Sequence, residues 1–384
     1  MSQRVDATLL KEIKQYGAVG IEKCFNCGNC TAICPLTSDD HLFPRDMIRY
    51  AQLGLKDRLL QSTDPWLCYY CGDCTRTCPK EAEPAETMMA MRRWQTAKYD
   101  RSGHAEKMYT SEREVGKAIV RTALLPLAIL LIYHLVTGFS NVITDRVALN
   151  AFAPVMWVWA IVLLHFGQLG LRLFRNASNM FRHVMHLDDE DQPMIPIGIY
   201  LQELKNFIVH GLTQKRWLEC GEDRSRWLKH LILISGYATM LVLVVGLLWW
   251  FQTDELYPIY HPQRWIGYLA TIFLLFASGE ALIGRMRRRE EIHRFSHPTD
   301  WLFPSFIFVG AVTGILVHIF RYLSWPWPTY IIYTIHVMAM VAMLDTEVGI
   351  GKWTHLIYRP LAMYLEAVKA RAAEMPSPAT APAA

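Results

Sequence analysis

The sequence predicts an all-α protein: an N-terminal helical domain built around two cysteine-rich turns, followed by a six-helix transmembrane bundle. Three observations lead there. The run C-x2-C-x2-C-x3-C-P occurs twice, at Cys24–Pro35 and at Cys68–Pro79. Apolar residues recur at helical intervals after each copy. From about residue 117 the chain passes into apolar runs of about 20 residues, the length a hydrocarbon core requires. Bulk composition hides this division. Of 384 residues, 52% are hydrophobic and 19% charged, only slightly more apolar than a soluble average, because a polar N-terminal part is averaged with an apolar remainder. A formal net charge of +4 is too weak to point to nucleic acid, so no nucleic-acid partner is expected.

The N-terminal stretch "MSQRVDATLLKEIKQYG" has no apolar core of a secretory signal. The cysteines are therefore expected in a reducing compartment, where clustered thiols favour metal over disulfides. Eight of the nine cysteines fall in the two runs: Cys24, Cys27, Cys30 and Cys34, then Cys68, Cys71, Cys74 and Cys78. The ninth, Cys220, stands alone and reads as a structural thiol. Between the runs, "FPRDMIRYAQLGLKDRLL" reads as one helix opened by Pro44 and Asp46. After the second run, "AETMMAMRRWQTAKY" reads as another. The ordered part is expected to end near Tyr99, with "DRSGHAEK" as a linker and the domain boundary at about residue 112.

Six spans follow, at roughly Ala118–Gly138, Phe152–Phe174, Leu231–Phe251, Trp265–Gly284, Trp301–Tyr322 and Tyr330–Val348. They make up a domain over 113–359, with a long loop at about 175–229 and a tail over 360–384. "GRMRRR" follows the fourth span, and Arg172, Arg175 and Arg182 close the second, whereas the opposite loops are poor in cations. The bias places both termini and the cysteine domain in the cytoplasm. Trp249, Trp250, Trp325 and Trp327 fall at the expected outer interface. Within the loop, Ile197, Tyr200, Leu201, Leu204, Phe207 and Ile208 make one helical face, suited either to the membrane surface or to the cysteine domain. The last residues, "EMPSPATAPAA", read as disordered.

Four thiolates in each run suit a [4Fe–4S] cubane. C-x2-C-x2-C wraps three ligands around a tight turn; the fourth cysteine, followed by Pro, is expected to start the next helix and point away. In two-cluster ferredoxins that fourth residue serves the other cluster. One cluster is thus assigned to Cys24, Cys27, Cys30 and Cys78, the other to Cys68, Cys71, Cys74 and Cys34. The domain is therefore expected to be two-cluster ferredoxin-like, an electron relay. Zinc is the plainer alternative, but it usually takes two separated pairs of ligands. Gly28 and Gly72 let the backbone turn close to the sulfur.

The spans and their edges carry His134, His165, His230, His318 and His336, with His355 just past the last span. One such residue is easily explained by packing; six point to function, either haem b ligation or a proton path. His230 and His355 fall at the inner edge and make a possible pair. His336, about 12 Å from the outer end of its span at 1.5 Å per residue, is matched to His318 or His134. His165 lies deeper. Two haems are expected. Glu280, Asp345 and Glu347 are candidates to move protons, and Arg121 and Arg321 to polarise a quinone carbonyl; each also reads as an interfacial charge.

These residues carry a resemblance. "KCFNCGNCTAICP", "FPRDMIRYAQLGLKDRLL", "DPWLCYYCGDCTRTCP" and "AEPAETMMAMRR" resemble the C subunit of heterodisulfide reductase. "YTIHVMAMVAML" followed by "GKWTHLIYRPL" is similar to the cytochrome b family of heterodisulfide reductase and the respiratory nitrate reductase gamma subunit. A chain joining the two resembles the membrane subunit of the quinone-interacting membrane-bound oxidoreductase complex. The resemblance implies a subunit in a prokaryotic inner membrane. It would pass electrons between quinone, haem b and the clusters, to or from cytoplasmic flavin and iron–sulfur subunits. In the nitrate reductase relatives one span carries two haem histidines about ten residues apart; here His230 matches the first and Met240 falls at the second. His336 and His355 match the family's paired positions on its last span. The rivals are the membrane anchor of another dehydrogenase, such as formate dehydrogenase, and a redox sensor. No G-x-G-x-x-G fingerprint follows a strand, so nucleotide chemistry is assigned to other subunits.

Overall fold

The structure is a computed structural model that describes residues 4–39, 41–187, 195–214 and 224–375. Cys220 and residues 376–384 of the expected tail lie outside the described residues. Outside its helices, the pairing described is one isolated bridge between Ser38 and His41. The chain forms two compact units. The first comprises Met1–Thr110, Phe174–Glu222 and Thr354–Ala384; the second comprises Ser111–Leu173 and Asp223–Trp353.

The N-terminal segment contributes eight helices: α1 (Leu9–Gln15), α2 (Asn29–Ile33), α3 (Arg45–Gln52), α4 (Lys56–Gln61), α5 (Asp64–Leu67), α6 (Asp73–Arg76), α7 (Pro84–Tyr99) and α8 (His104–Thr110). Helix α7 is the axis of the unit. It starts on Pro84, whose missing N–H costs nothing at a first turn, and it is buried on nearly every side. Its polar residues therefore need partners inside. Gln95 Nε2 donates to the carbonyls of Leu59 and Ser62, both at 2.8 Å.

The helix expected over Phe43–Leu60 is two helices. Gly54 separates α3 from α4 with φ +72°, and a Cβ there would meet the Asp6 carbonyl oxygen at 2.3 Å. The expected linker is also folded. Asp100 accepts from Ser102 N at 3.1 Å and Ala105 N at 2.9 Å. Those bonds start α8, which buries Ala105, Met108 and Tyr109.

The remaining helices follow as α9 (Glu112–Val136), α10 (Leu149–Phe152), α11 (Val155–Val184), α12 (Ile197–Thr213), α13 (Ser225–Leu241), α14 (Leu248–Phe251), α15 (Pro262–Met286), α16 (Thr299–Tyr322), α17 (Pro326–Glu347) and α18 (His355–Ala373). Where a tail was expected from residue 360, α18 continues to Ala373 with Leu365 and Val368 buried. It belongs to the first unit. Tyr358 packs edge-on against Trp66 at 5.0 Å and Tyr99 at 5.8 Å. Helix α12 lies against α18: Tyr364 Oη donates to Tyr200 O at 3.0 Å, and Arg371 pairs with Glu203 at 2.6 Å. Of the apolar face expected on α12, Tyr200 packs on the core and Phe207 meets the Tyr364 ring at 6.2 Å, while Ile197, Leu201, Leu204 and Ile208 are exposed. Ile199, outside that face, is buried as well.

Six helices of the described chain are long and apolar enough to cross a membrane, one for each expected span. They cover Glu112–Val136, Val155–Val184, Ser225–Gly246, Pro262–Met286, Thr299–Tyr322 and Pro326–Glu347. In the second unit α17 packs on α16 and α9, and α15 on α13 and α16. Many of their large apolar side chains, such as Leu124, Phe276 and Ile331, face outward, as lipid-facing surfaces do. The third span ends in a π-helical turn, Val242–Gly246. Such a turn disturbs the regular ladder, and the Val245 carbonyl accepts from Trp159 Nε1 at 2.7 Å.

Candidate iron–sulfur site and the intramembrane histidines

The two cysteine runs share one backbone. Asn26 and Tyr70 occupy matching places with φ 61° and 56°, and Gly28 and Gly72 follow with φ 90° and 89°. Each glycine is the N-cap of a short helix, α2 or α6. Its carbonyl accepts from Thr31 N at 2.9 Å in the first run and Thr75 N at 3.1 Å in the second. A left-handed conformation at that point suits glycine. The fourth cysteine behaves differently from expectation. Cys34 is the C-cap of α2, in extended conformation, so it leaves a helix and does not begin one. Pro35 follows, as a residue that cannot continue a helix does.

Two hollows result. One, about 340 Å³ with its open mouth, is lined by Cys24, Cys27, Cys30 and Cys78, with Arg45 and Pro84 in its wall. The other, about 430 Å³, is lined by Cys34, Cys68, Cys71 and Cys74, with Phe43 and Met88. Each takes three thiols from one run and one from the other. Among the described residues no three His, Cys, Asp or Glu side chains converge as they would on a single ion. Each hollow is ringed by four thiols, the donor set that a cubane takes. Two sulfurs already receive backbone donors: Tyr70 N to Cys68 Sγ at 3.3 Å and Ala82 N to Cys78 Sγ at 3.4 Å. Burial, reinforced by neighbouring thiols, pushes the Cys34 thiol up to about 11 and raises Cys30, Cys71 and Cys74 as well. Thiols so placed need a cationic centre to become thiolates.

Sequence reasoning missed the residues that brace these turns. Arg93 and Glu86, each 4% exposed, form an ion pair at 3.1 Å. Arg93 also donates to Tyr16 O at 2.9 Å, and Tyr70 Oη donates to Glu86. Arg92 donates to the carbonyls of Pro65 and Cys68 and lies over the Trp66 ring at 5.8 Å. The signal available was the "MRRW" stretch, two arginines inside an otherwise apolar helix.

The histidines are dispersed over α9, α11, α13, α16, α17 and the start of α18. His134 is 4% exposed, 4.7 Å from the Phe152 ring, and neither ring nitrogen has a hydrogen-bond partner. His165 Nε2 is buried without one. His318 Nε2 is held by Tyr268 Oη at 2.7 Å, and His336 Nδ1 by Thr313 Oγ1 at 2.9 Å. The latter bond leaves His336 Nε2 for a metal, the usual division of roles in a ligating imidazole. The orphaned nitrogens of His134 likewise fit a haem ligand chemically. The neighbours described for His134, His318 and His336 are aromatic and hydroxyl side chains, not a second imidazole. His230 belongs to the second unit and His355 to the first.

Of the other candidates, Met240 packs in an apolar cluster around Leu274, Ile307, Ala311 and Met343. Glu280 is paired with Lys229 at 2.6 Å and Asp345 with Arg172 at 3.8 Å. Glu347, 2% exposed, accepts from Lys352 N at 2.8 Å. Arg321 is buried and donates to the carbonyls of Thr253 and Glu255, while Arg121 is exposed.

Geometry thus defines a class first: an all-α iron–sulfur protein with six helices fit to cross a membrane. The comparisons agree for its N-terminal part. Residues 20–82 match the 4Fe-4S dicluster domain family. The chain is similar to a protein of Archaeoglobus profundus that is like the C subunit of heterodisulfide reductase, 37% identical over 108 residues, which are 28% of this chain and 57% of that relative. It is also similar to the C subunit of the H(2):CoB-CoM heterodisulfide,ferredoxin reductase of Methanothermobacter marburgensis, 35% identical over 63 residues, 16% of this chain and 34% of that one. The same polypeptide of Methanothermobacter thermautotrophicus matches to the same extent. The chain therefore spans between a third and somewhat over half of the length of these relatives. No solved structure matches. The N-terminal part is thus similar to C subunits of heterodisulfide reductases over the stretch that carries both cysteine runs.

Proposed function

We propose that this chain is a membrane electron-transfer subunit linking a quinone or quinol pool, two haems b and two [4Fe–4S] clusters to soluble flavin and iron–sulfur subunits. It belongs, on this reading, to a complex of the quinone-interacting membrane-bound oxidoreductase kind in a prokaryotic inner membrane, with both termini cytoplasmic. The observation that carries the reading is the pair of four-cysteine hollows in a chain with six long apolar helices. The relatives whose names describe reductase subunits favour the same role.

When bound, the clusters and haems supply one-electron transfer. The chain supplies their setting. Cys24, Cys27, Cys30 and Cys78 would hold one cluster, and Cys34, Cys68, Cys71 and Cys74 the other. Donors to Cys68 and Cys78 sulfur favour the reduced state, because they offset added negative charge. His336, oriented by Thr313, would be the first haem ligand to test, with His318 and His134 next; His230, His355 and His165 are the further candidates. Of the three membrane carboxylates, Glu280 and Asp345 already have cationic partners. Glu347 is left as the group to hold a proton for quinone chemistry.

The test is reduction of the purified full chain by quinol, followed by visible and electron paramagnetic resonance spectra. Reduced haem b and reduced cluster signals are expected together. Zinc in place of iron, absence of porphyrin, or haem that stays oxidised with quinols of any potential would refute the proposal.

A further inference from the structure

We infer that the adjoining ends of α15 and α16 bind an anionic oxygen group, a carboxylate or phosphate carried by a membrane-embedded molecule. Arg264 is in the first turn of α15 and Arg321 in the last turn of α16. Each is 6% exposed. Arg321 spends its guanidinium on the carbonyls of Thr253 and Glu255. Arg264 does not: its Nε and Nη2 are buried with no hydrogen-bond partner. Its guanidinium lies over the Tyr322 ring at 5.9 Å.

Both arginines lie within coulombic reach of His318, whose Nε2 meets Tyr268 Oη at 2.7 Å. Among the described residues neither guanidinium has an ion-pair partner. Asp254, within coulombic reach of Arg321, is exposed and accepts from Asn150 N at 2.9 Å. A buried cation with open donors and no counter-ion is a costly arrangement, and an arriving anion removes the cost. A planar fork of N–H groups matches the two oxygens of a carboxylate or phosphate. The depth fits as well. One turn inside a helix end is where lipid phosphates lie and where the propionates of a haem near that end would reach. Trp265, Ile266 and Leu269, the apolar neighbours of Arg264 along α15, are exposed. The propionate source rests on the function proposed above; the lipid source does not.

The test uses the full chain in detergent as wild type, Arg264→Gln and Arg264→Lys. Native mass spectrometry reads bound phospholipid, and potentiometry reads the haem midpoints. If the anion is a lipid phosphate, bound phospholipid falls at least tenfold in Arg264→Gln and recovers in part in Arg264→Lys. If it is a propionate, haem content is unchanged and one midpoint falls by about 59 mV, the equivalent of a tenfold change for one electron. Arginine-dependent lipid in a haem-free protein keeps this inference and sinks the proposed function. Unchanged lipid and unchanged midpoints in a folded Arg264→Gln overturn the inference and leave that function standing. Should Arg264→Gln fail to insert, Arg264→Lys decides: several-fold weaker retention supports the site, and equality with wild type overturns it.

Discussion

The brace behind the second cysteine turn makes a quantitative prediction. Glu86→Leu removes the partner of Arg93, a guanidinium only 4% exposed. Breaking a buried pair from one side costs about 3–5 kcal/mol, and Arg93 then keeps its bond to the Tyr16 carbonyl but loses the Glu86 carboxylate. The hydroxyl of Tyr70 also loses its acceptor, adding about 1 kcal/mol. Arg93→Met takes the guanidinium from Glu86, which keeps the Tyr70 hydroxyl, and removes the donor at 2.9 Å from the Tyr16 carbonyl. Either single change therefore removes a large share of the roughly 5–15 kcal/mol available to a folded domain. The double change Glu86→Leu/Arg93→Met removes both charges together. It is expected to cost only about 1–3 kcal/mol, chiefly from the two hydrogen bonds lost at the Tyr16 carbonyl and the Tyr70 hydroxyl. Hydrogen exchange of α7 amides in the full chain reads these differences as local opening free energies. Additive costs, with the double variant near the sum of the singles, would refute the claim that the pair acts as one buried unit.

Further outcomes follow from the same geometry. Single cysteine-to-alanine variants should fall into two spectroscopic groups by electron paramagnetic resonance, Cys78 with Cys24, Cys27 and Cys30, and Cys34 with Cys68, Cys71 and Cys74; Cys78 grouping with its own run would disprove crossed ligation. His41 Nε2 meets Asp64 Oδ1 at 3.1 Å, and that hydrogen bond raises the imidazole above its ordinary 6.5. Its stabilising contribution is complete below pH 6.5 and is lost as pH rises through the higher folded value. Urea midpoints of the wild type should therefore decline over that window relative to His41→Gln, and parallel profiles would contradict the assignment. Gly54→Ala should destabilise the first unit by more than about 1 kcal/mol, since φ +72° and a 2.3 Å approach to Asp6 oppose a side chain; an unchanged melting temperature would dismiss that strain.

What was legible in the sequence was local. The cysteine turns could be read because the ligand spacing and its glycine lie within one short stretch. The six long helices could be read because hydropathy is summed along the chain. Features set by distant residues were not legible. Nothing near Gly54 announces that Asp6 will press against it. Glu86 and Arg93 lie seven positions apart on α7, so nothing local shows that neighbours from other segments bury both. The depth of His134 or His336 follows from helix rise, but the direction each ring faces depends on helix rotation, so axial pairing could not be deduced. Arg264 passed unnoticed for the same reason, since a lone cation near a helix end usually reaches the interface.

The division of the first unit among three stretches of chain has a consequence for biogenesis. Thr63 Oγ1 donates to Glu366 at 2.6 Å, Arg359 lies over the Tyr69 ring at 4.3 Å, and Trp66 rests on Tyr358. The segment that carries every cysteine of the site is translated before the six long helices, and the helix that seals its side after them. All six long helices must be made in between. Nascent chains therefore wait with the Tyr358-facing sides of Trp66 and Tyr99 uncovered until α18 has been made, and truncation before α18 strands them in that condition.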